Sequence, residues 1–417
     1  MNAPPPVPAL TQNRKPLYKE LKNSWLLLPA ILFYTKVFQC LENIPTMDDY
    51  DIILQFLLKY TSSDFSTKCG MIFGQYGEHR LVPSKLLYIG YYYLTGGVNF
   101  RVIGLIGDAQ LLVVALVSIH FIRKYLATGW ELVAFIWMLC LFDLNTYENA
   151  CMTMNAVGNY GVVMLFFVSL YFYSRPAKYL PVAIVFQALC IFSNGNGLAA
   201  GVFLVLFNLS AGDRIQQISS AATSIVFTSL YFIDYKTVEL PNKLPFDIGR
   251  LLAYFIQMAG APFNFNNSLG WGLVVLGGLA YVLPYRLLRD KKLAPLLCIW
   301  IFALSTMGLA AVFRSGYKGA QFQTSRYLIY PQLLIATLVL FTYMKIKNTS
   351  WKLAGSILIG IVLWGAYARN YYFGAGGFAR TQFRALNMRY WHPEPRKADS
   401  ICKAACAKDM YCIEDHR

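Results

Sequence analysis

Several apolar runs in this chain approach the length that a helix needs to cross a bilayer, and this feature decides the fold class. One of them, at 102–122, reads "VIGLIGDAQLLVVALVSIHFI". About 20 mostly apolar residues span the hydrocarbon core as a helix. Comparable runs lie at about 24–41, 130–144, 157–174, 217–234, 270–285, 293–313, 327–344 and 353–368. Composition agrees: 57% of the 417 residues are hydrophobic and only 14% are charged, against roughly 25% charge in soluble domains. The chain is therefore expected to be an all-α polytopic membrane protein, one membrane body with a large loop and a tail.

A composite segment at about 180–210, "LPVAIVFQALCIFSNGNGLAAGVFLVLFNL", interrupts the pattern. Its "SNGNG" breaks the helix and demands turn geometry. It forms either a re-entrant loop or two short crossings. Both ends emerge on the same side either way, so the bundle has about nine to eleven transmembrane helices.

Basic residues orient the body. "NRKPLYKELK", "RKY", "SRPAK", "GDR", "RLLRDKK" and "KIKNTSWK" alternate correctly with the spans if all are cytoplasmic. The other side receives 42–101, "NTYENACMTMNA", 235–269, "RSGYKGAQFQTSR" and a tail from 369 to 417. The polar, Pro-rich segment 1–23 reads as a cytoplasmic leader without a cleavage site, followed by a retained first span at 24–41. The apolar stretch 248–260 is expected to lie on or dip into the outer leaflet. The net charge of +16 follows from the inner loops. No basic stripe interleaved with stacking aromatics points to nucleic acid.

Directly after the first span comes "ENIPTMDDYD", with four carboxylates in ten residues. Asp48 and Asp49 are adjacent. On the outer side they either lie in solvent, cap the helix starting near Tyr50, or supply a general base that takes a proton from an attacking alcohol. Adjacent acids raise one another's pKa. Glu42 and Asp51 are the expected bystanders. Further along the same loop, Gly74 and Gly77 frame a turn. Glu78, His79 and Arg80 group an acid, an imidazole and a guanidinium, with Glu78 and His79 candidates for sugar hydroxyls or a metal, although one acid and one imidazole suit a structural pair better. Arg80 is also a candidate, although pairing with Glu78 or a nearby Asp is the simpler expectation. Leu86 to Phe100 is aromatic enough to lie flat at the interface and to help roof a cavity. Arg314, Lys318 and Arg326, around a Gly-containing turn, suit a phosphate at headgroup depth or ordinary lipid headgroups.

Cys402, Cys406 and Cys412 cluster in the tail with His416 nearby. One disulfide is expected in an oxidising compartment, with a zinc site as the alternative. Arg380, Arg384 and Arg389 lie at near-helical spacing with Phe383 and Trp391, as a cap over the cavity or an amphipathic helix on the membrane would. No nucleotide, P-loop, zinc-protease or nucleophile-elbow motif is present, so an activated substrate would arrive already attached to a lipid. No cofactor is called for, with a divalent cation the open alternative.

A first span, a carboxylate pair opening a long outer loop with interfacial helices, and many further spans resemble the GT-C class of glycosyltransferases. Within that class the chain is most similar to the phage-encoded serotype-converting O-antigen glucosyltransferases (Gtr), type V above all, in length, topology, re-entrant element and outer tail. The resemblance implies a catalytic Asp early in the first outer loop, here Asp48 or Asp49. It implies an undecaprenyl-phosphate glucose donor, a lipid-linked O-antigen acceptor and inverting transfer in the bacterial inner membrane, with the amino end cytoplasmic and the carboxyl end periplasmic. The rivals are a flippase or transporter of lipid-linked sugars, an O-antigen polymerase, and a membrane protein without chemistry. A transporter would need polar residues deep in the spans, where Lys36, Gln187 and Gln332 are the ones that stand out.

Overall fold

A computed structural model describes residues 23–237, 244–263, 267–282, 290–316, 325–346, 349–387 and 391–412. Among them the secondary structure is helical, apart from one bridge between Tyr76 and His79. Four helical stretches, Phe100–Tyr125, Thr153–Tyr173, Lys291–Arg314 and Ser325–Lys345, are long and apolar enough to cross a membrane. Shorter apolar helices stand beside them. The architecture is that of a polytopic all-α membrane protein.

The principal helices are α1 (Leu28–Cys40), α2 (Val82–Thr95), α3 (Phe100–Tyr125), α4 (Trp130–Leu141), α5 (Gly161–Tyr173), α6 (Leu180–Ile191) and α7 (Gly195–Ala211). They continue as α8 (Arg214–Phe232), α9 (Ile248–Gly260), α10 (Ser268–Val282), α11 (Ala294–Arg314), α12 (Ile329–Lys345), α13 (Thr349–Asn387) and α14 (Pro395–Cys406). Local chemistry sets several boundaries. The Asn99 side chain caps α3, accepting from the Val102 amide, and Arg123 and Lys124 occupy its last turn, where cations suit the helix dipole. Asp213 and Gln216 form a reciprocal capping box at the start of α8. Proline occupies the first turn of α1, α6 and α11, where its missing N–H costs nothing.

The helices run between two ends. At one end the segment before α2 meets the α6–α7 tip, with the Leu81 amide on the Ser193 carbonyl (3.1 Å) and the Val82 amide on Phe192 (3.0 Å). Residues 144–156, 233–237, 315–316, 325–327 and the tail gather at the same end through contacts described below. The composite segment 180–210 is thus a pair of short antiparallel helices whose tip, Phe192 to Asn196, reaches this end. The α9 helix also lies there: the Leu244 amide reaches the Gly316 carbonyl, and just beyond its other end the Pro262 carbonyl accepts from Asn370 (2.8 Å). The opposite end joins Arg175, His120 and Tyr171, Gln216 with the Tyr173 and Arg175 carbonyls, and Tyr343 with the Thr128 carbonyl. The segments that the charge pattern puts on one side are therefore together at one end.

The last helix of the bundle, α13, carries the chain without a break from the final apolar run into the first part of the tail, to Asn387. The extension is held by close packing: a Cβ on Gly374 would lie 2.1 Å from the Leu144 carbonyl oxygen. Only glycine lets the backbones meet there. Segment 1–22 of the expected leader lies outside the described residues, as do Arg389 and His416.

Apart from the bundle core, a second hydrophobic cluster forms at the end where the segment before α2 meets the α6–α7 tip. It unites Tyr50, Ile52, Ile53 and Leu54 of the first loop with Ala398, Ile401, Cys402, Ala405, Met410 and Tyr411 of the tail. Cys406 is disulfide-bonded to Cys412. Cys402 is free and buried, so the pairing leaves no three-thiol set for zinc.

Candidate functional site

The first loop opens on a tight structure. Met47 has a left-handed backbone, φ 48°, unusual for a residue with a side chain. The Asp49 carboxylate folds back beneath it. Its Oδ2 accepts from the Thr46 amide and hydroxyl, both at 3.0 Å, and its Oδ1 accepts from the Met154 amide at 2.8 Å. Asp49 is 1% exposed. Burial pushes its pKa up to about 6 against these hydrogen bonds, with Asp48 adding a smaller push. Asp48 is oriented differently: it is half-buried, and its Oδ1 accepts from the Tyr76 hydroxyl at 3.2 Å. Burial, reinforced by the Asp48 and Asp51 charges, raises the pKa of that phenol. Of the adjacent acids, Asp49 ties segments together while Asp48 retains access.

Tyr76 belongs to a miniature hairpin with His79. The Tyr76 amide donates to the His79 carbonyl (2.7 Å), and the His79 amide to the Tyr76 carbonyl (2.9 Å). Gly77 turns it with φ +55°, which glycine adopts at no steric cost. The hairpin joins two parts of the site. On its far strand, His79 Nδ1 accepts from the Gly195 amide at 3.2 Å, which leaves Nε2 to carry the ring proton. Burial pulls the His79 pKa down to about 4, helped by the charges of Arg314 and Arg326. The ring is neutral at pH 7.

From His79 a hydrogen-bonded arc continues to the cations. Asn194, next to Gly195, donates to Asn159 Oδ1 (3.2 Å), and Asn159 donates to Asn149 Oδ1 (2.9 Å). Asn149 in turn donates to the Arg326 carbonyl (3.0 Å). The Arg326 amide meets Glu148 Oε2 at 3.4 Å, and the Glu148 amide donates to Ser325 Oγ at 3.1 Å. Burial raises the Glu148 pKa, opposed by Arg326. The guanidinium groups of Arg314 and Arg326 both lie over the Tyr327 ring, at 5.9 and 5.5 Å. Arg326 Nε is buried without a hydrogen-bond partner among the described residues. A half-buried carboxylate, a neutral imidazole and two guanidiniums thus share one continuous arc. That set can deprotonate a hydroxyl and hold an anion.

Glu78 and Arg80, although they flank His79, diverge from it. The Glu78 carbonyl accepts from the Tyr231 and Tyr235 hydroxyls. Arg80, 8% exposed, donates to main-chain carbonyls: Tyr231 (2.9 Å), Phe73 (2.7 Å) and Ile233. The expected pairing with Glu78 or a nearby Asp gives way to this cage, because the carbonyls ending α8 offer a negative helix terminus. Lys85 acts similarly on the carbonyls of Met71, Ile72 and Gly74. Lys318 lies outside the described residues. Sequence reasoning missed Glu148, Asn149, Asn159 and Asn194. The lone acid in "NTYENACMTMNA" and the asparagines of "SNGNG" were the available signals.

Within the bundle, sequence reading also passed over Asp108. It is fully buried in α3, and both carboxyl oxygens lack a hydrogen-bond partner among the described residues. Gln187, by contrast, is satisfied by Tyr173, Ser220 and Ser224.

No family model matches the sequence, and no curated protein matches it. Among solved structures, the chain is similar to ArnT from Cupriavidus metallidurans in the apo state, with a TM-score of 0.48 and 13% identity over 88% of this chain and 78% of that one. It is similar also to ArnT from Cupriavidus metallidurans bound to undecaprenyl phosphate, with a TM-score of 0.47 and 14% identity over the same shares.

Proposed function

We propose that this chain is a membrane glycosyltransferase that takes a sugar from a polyprenyl-phosphate donor. The observation that carries the reading is the arc joining the accessible Asp48 carboxylate, through the Tyr76–His79 hairpin, to Arg326 beside Arg314. In the proposed step Asp48 accepts the proton of an acceptor hydroxyl as that oxygen attacks the anomeric carbon. The bond from that carbon to the lipid phosphate breaks, and the configuration inverts. Arg314 and Arg326 stabilise the phosphate charge as it develops. Lys318, between them in sequence, is assigned the same role. Neutral His79 donates through Nε2 to a sugar or phosphate oxygen. Asp49 holds the turn, and Glu148 orients Arg326. Arg80 supports the hairpin, and Glu78 stands at its tip.

The finer reading follows the resemblance of the "TMDDYD" loop. The donor is undecaprenyl-phosphate glucose, the acceptor is lipid-linked O-antigen, and the outcome is serotype conversion. The site end faces the periplasm of a bacterial inner membrane and the basic loops face the cytoplasm. Purified protein incubated with synthetic polyprenyl-phosphate glucose and lipid-linked O-antigen should yield glucosylated acceptor by mass spectrometry. Donor intact after extended incubation would refute the reading.

Asp108 favours a second reading, a transporter of lipid-linked sugars, because intramembrane carboxyls often mark pathways. Movement of a fluorescent lipid-linked sugar across proteoliposomes without acceptor, abolished by Asp108→Asn, would support it.

A further inference from the structure

The tail makes a specific connection to the residues around the proposed base. Asp51 Oδ1 pairs with Lys397 at 2.8 Å, and Asp51 Oδ2 meets His392 Nε2 at 3.3 Å. The His392 and Asp51 side chains are only 5% and 12% exposed. His392 Nδ1 takes the Glu394 amide at 2.9 Å, which turns the Nε2 edge of the ring toward Asp51. One residue earlier, the Trp391 carbonyl accepts from the Met47 amide at 2.9 Å. Met47 is the left-handed residue that separates Thr46, which binds Asp49, from Asp48. The Asp48 carbonyl itself accepts from the Asp51 and Ile52 amides (3.2 and 2.9 Å).

The rest of the tail secures this contact. The α14 helix buries Ala398, Ile401, Cys402 and Ala405 against the first loop. The Cys406–Cys412 disulfide closes a hook. Within the hook, the Met410 carbonyl accepts from Val98 (2.8 Å), and the Tyr411 hydroxyl donates to the Asn43 carbonyl (2.9 Å). The loop is thus gripped from Asn43 to Asp51 by residues far away in sequence.

We infer that Asp51 is a positioning residue: with Lys397 and His392 it clasps the tail onto the Thr46–Asp49 turn and fixes the aim of Asp48. This rests on the proposed transfer reaction and gives the tail a role other than direct contact with sugar. A displacement near 1 Å at a reacting group can cost about 10²-fold in rate, and loosening the Met47 backbone would permit one.

The test uses the full-length protein in nanodiscs, with hydrogen–deuterium exchange and steady-state transfer measured on the same samples. Asp51→Asn and Lys397→Met should each speed amide exchange across 391–412 and at Met47, about tenfold or more, by releasing a locally cooperative unit. Each should lower kcat about tenfold, with KM for donor and acceptor within about twofold, since misaimed chemistry leaves binding intact. Lys397→Arg, which keeps the charge, should restore both readouts. Faster exchange with unchanged kcat would overturn the inference, as would a fall in kcat with unchanged exchange in the tail. If the wild-type protein transfers no sugar, the transfer reading fails, and with it the catalytic half of the inference. The exchange data would still decide whether the clasp exists.

Discussion

The two ends of the bundle are built from similar residue types and used differently. At the end opposite the site, Arg175 donates to the Tyr171 hydroxyl at 2.6 Å and lies over that ring at 4.5 Å. Gln216 satisfies the carbonyls that end α5. These contacts finish helix termini and tie the end of α5 to the start of α8. At the site end, hydrogen bonds join 49 to 154, 79 to 195, 149 to 326 and 47 to 391. Long-range polar contacts converge there, and buried groups with displaced pKa values sit among them. Charge patterning orients a membrane protein. A site needs distant segments gathered around groups that keep some capacity unspent, as Asp48 and Arg326 do.

The largest effect should come from the anion side. Replacing Arg314 and Arg326 together by Gln should lower transfer on the order of 10³-fold while membrane levels hold, as loss of preorganised charge stabilisation does elsewhere. A similar loss from Arg175→Gln at the other end would erase the contrast.

Asp49 and His79 predict opposite pH signatures in stability. The folded pKa of Asp49, about 6, lies above its usual value of 3.8. Its contribution is therefore full at low pH and is lost as pH rises from about 4 through 6. A shift of this size corresponds to about 3 kcal/mol. His79, lowered from 6.5 to about 4, contributes above pH 6.5 and is lost as pH falls toward 4. In thermal unfolding series at pH 4 to 7, Asp49→Asn should remove the destabilisation that accompanies rising pH. His79→Asn should remove the destabilisation that accompanies falling pH. Identical pH slopes in wild type and both variants would show that neither group is buried as described.

The smallest effect belongs to Arg175→Ala. Loss of its hydrogen bonds should cost about 1 kcal/mol of stability with transfer within about twofold of wild type. Parallel unfolding and transfer assays would show it.

How much of this was legible in sequence depended on the range of the interaction. Apolar runs gave the helices within a few residues, because burial in lipid acts on every residue of a span. The end of α13 was not legible. Residues 369–387 are mixed in polarity, and their docking depends on the fit of Gly374 against Leu144, far away in sequence. The "TMDDYD" carboxylates stood out, yet their division of labour did not, since it depends on a Met154 amide and a Tyr76 hydroxyl far along the chain. Asp51 read as a bystander for the same reason: Lys397 and His392 become its partners only when the tail folds back. The cluster of Glu78, His79 and Arg80 was conspicuous but misleading as a unit. Alternate residues of a tight hairpin face different ways, and Arg80 turns to the end of α8.

The central claim is that Asp48, rather than its neighbour Asp49, takes the proton in sugar transfer. The most direct measurement is the single-turnover transfer rate of Asp48→Asn and Asp49→Asn, side by side at matched membrane levels, with polyprenyl-phosphate glucose and lipid-linked acceptor. General-base contributions run on the order of 10²–10⁴-fold. Asp48→Asn should lose a factor in that range with its unfolding midpoint unchanged, and Asp49→Asn should lose less rate and show the altered pH dependence of stability. Wild-type turnover by Asp48→Asn, with the full loss falling on Asp49→Asn, would contradict the account.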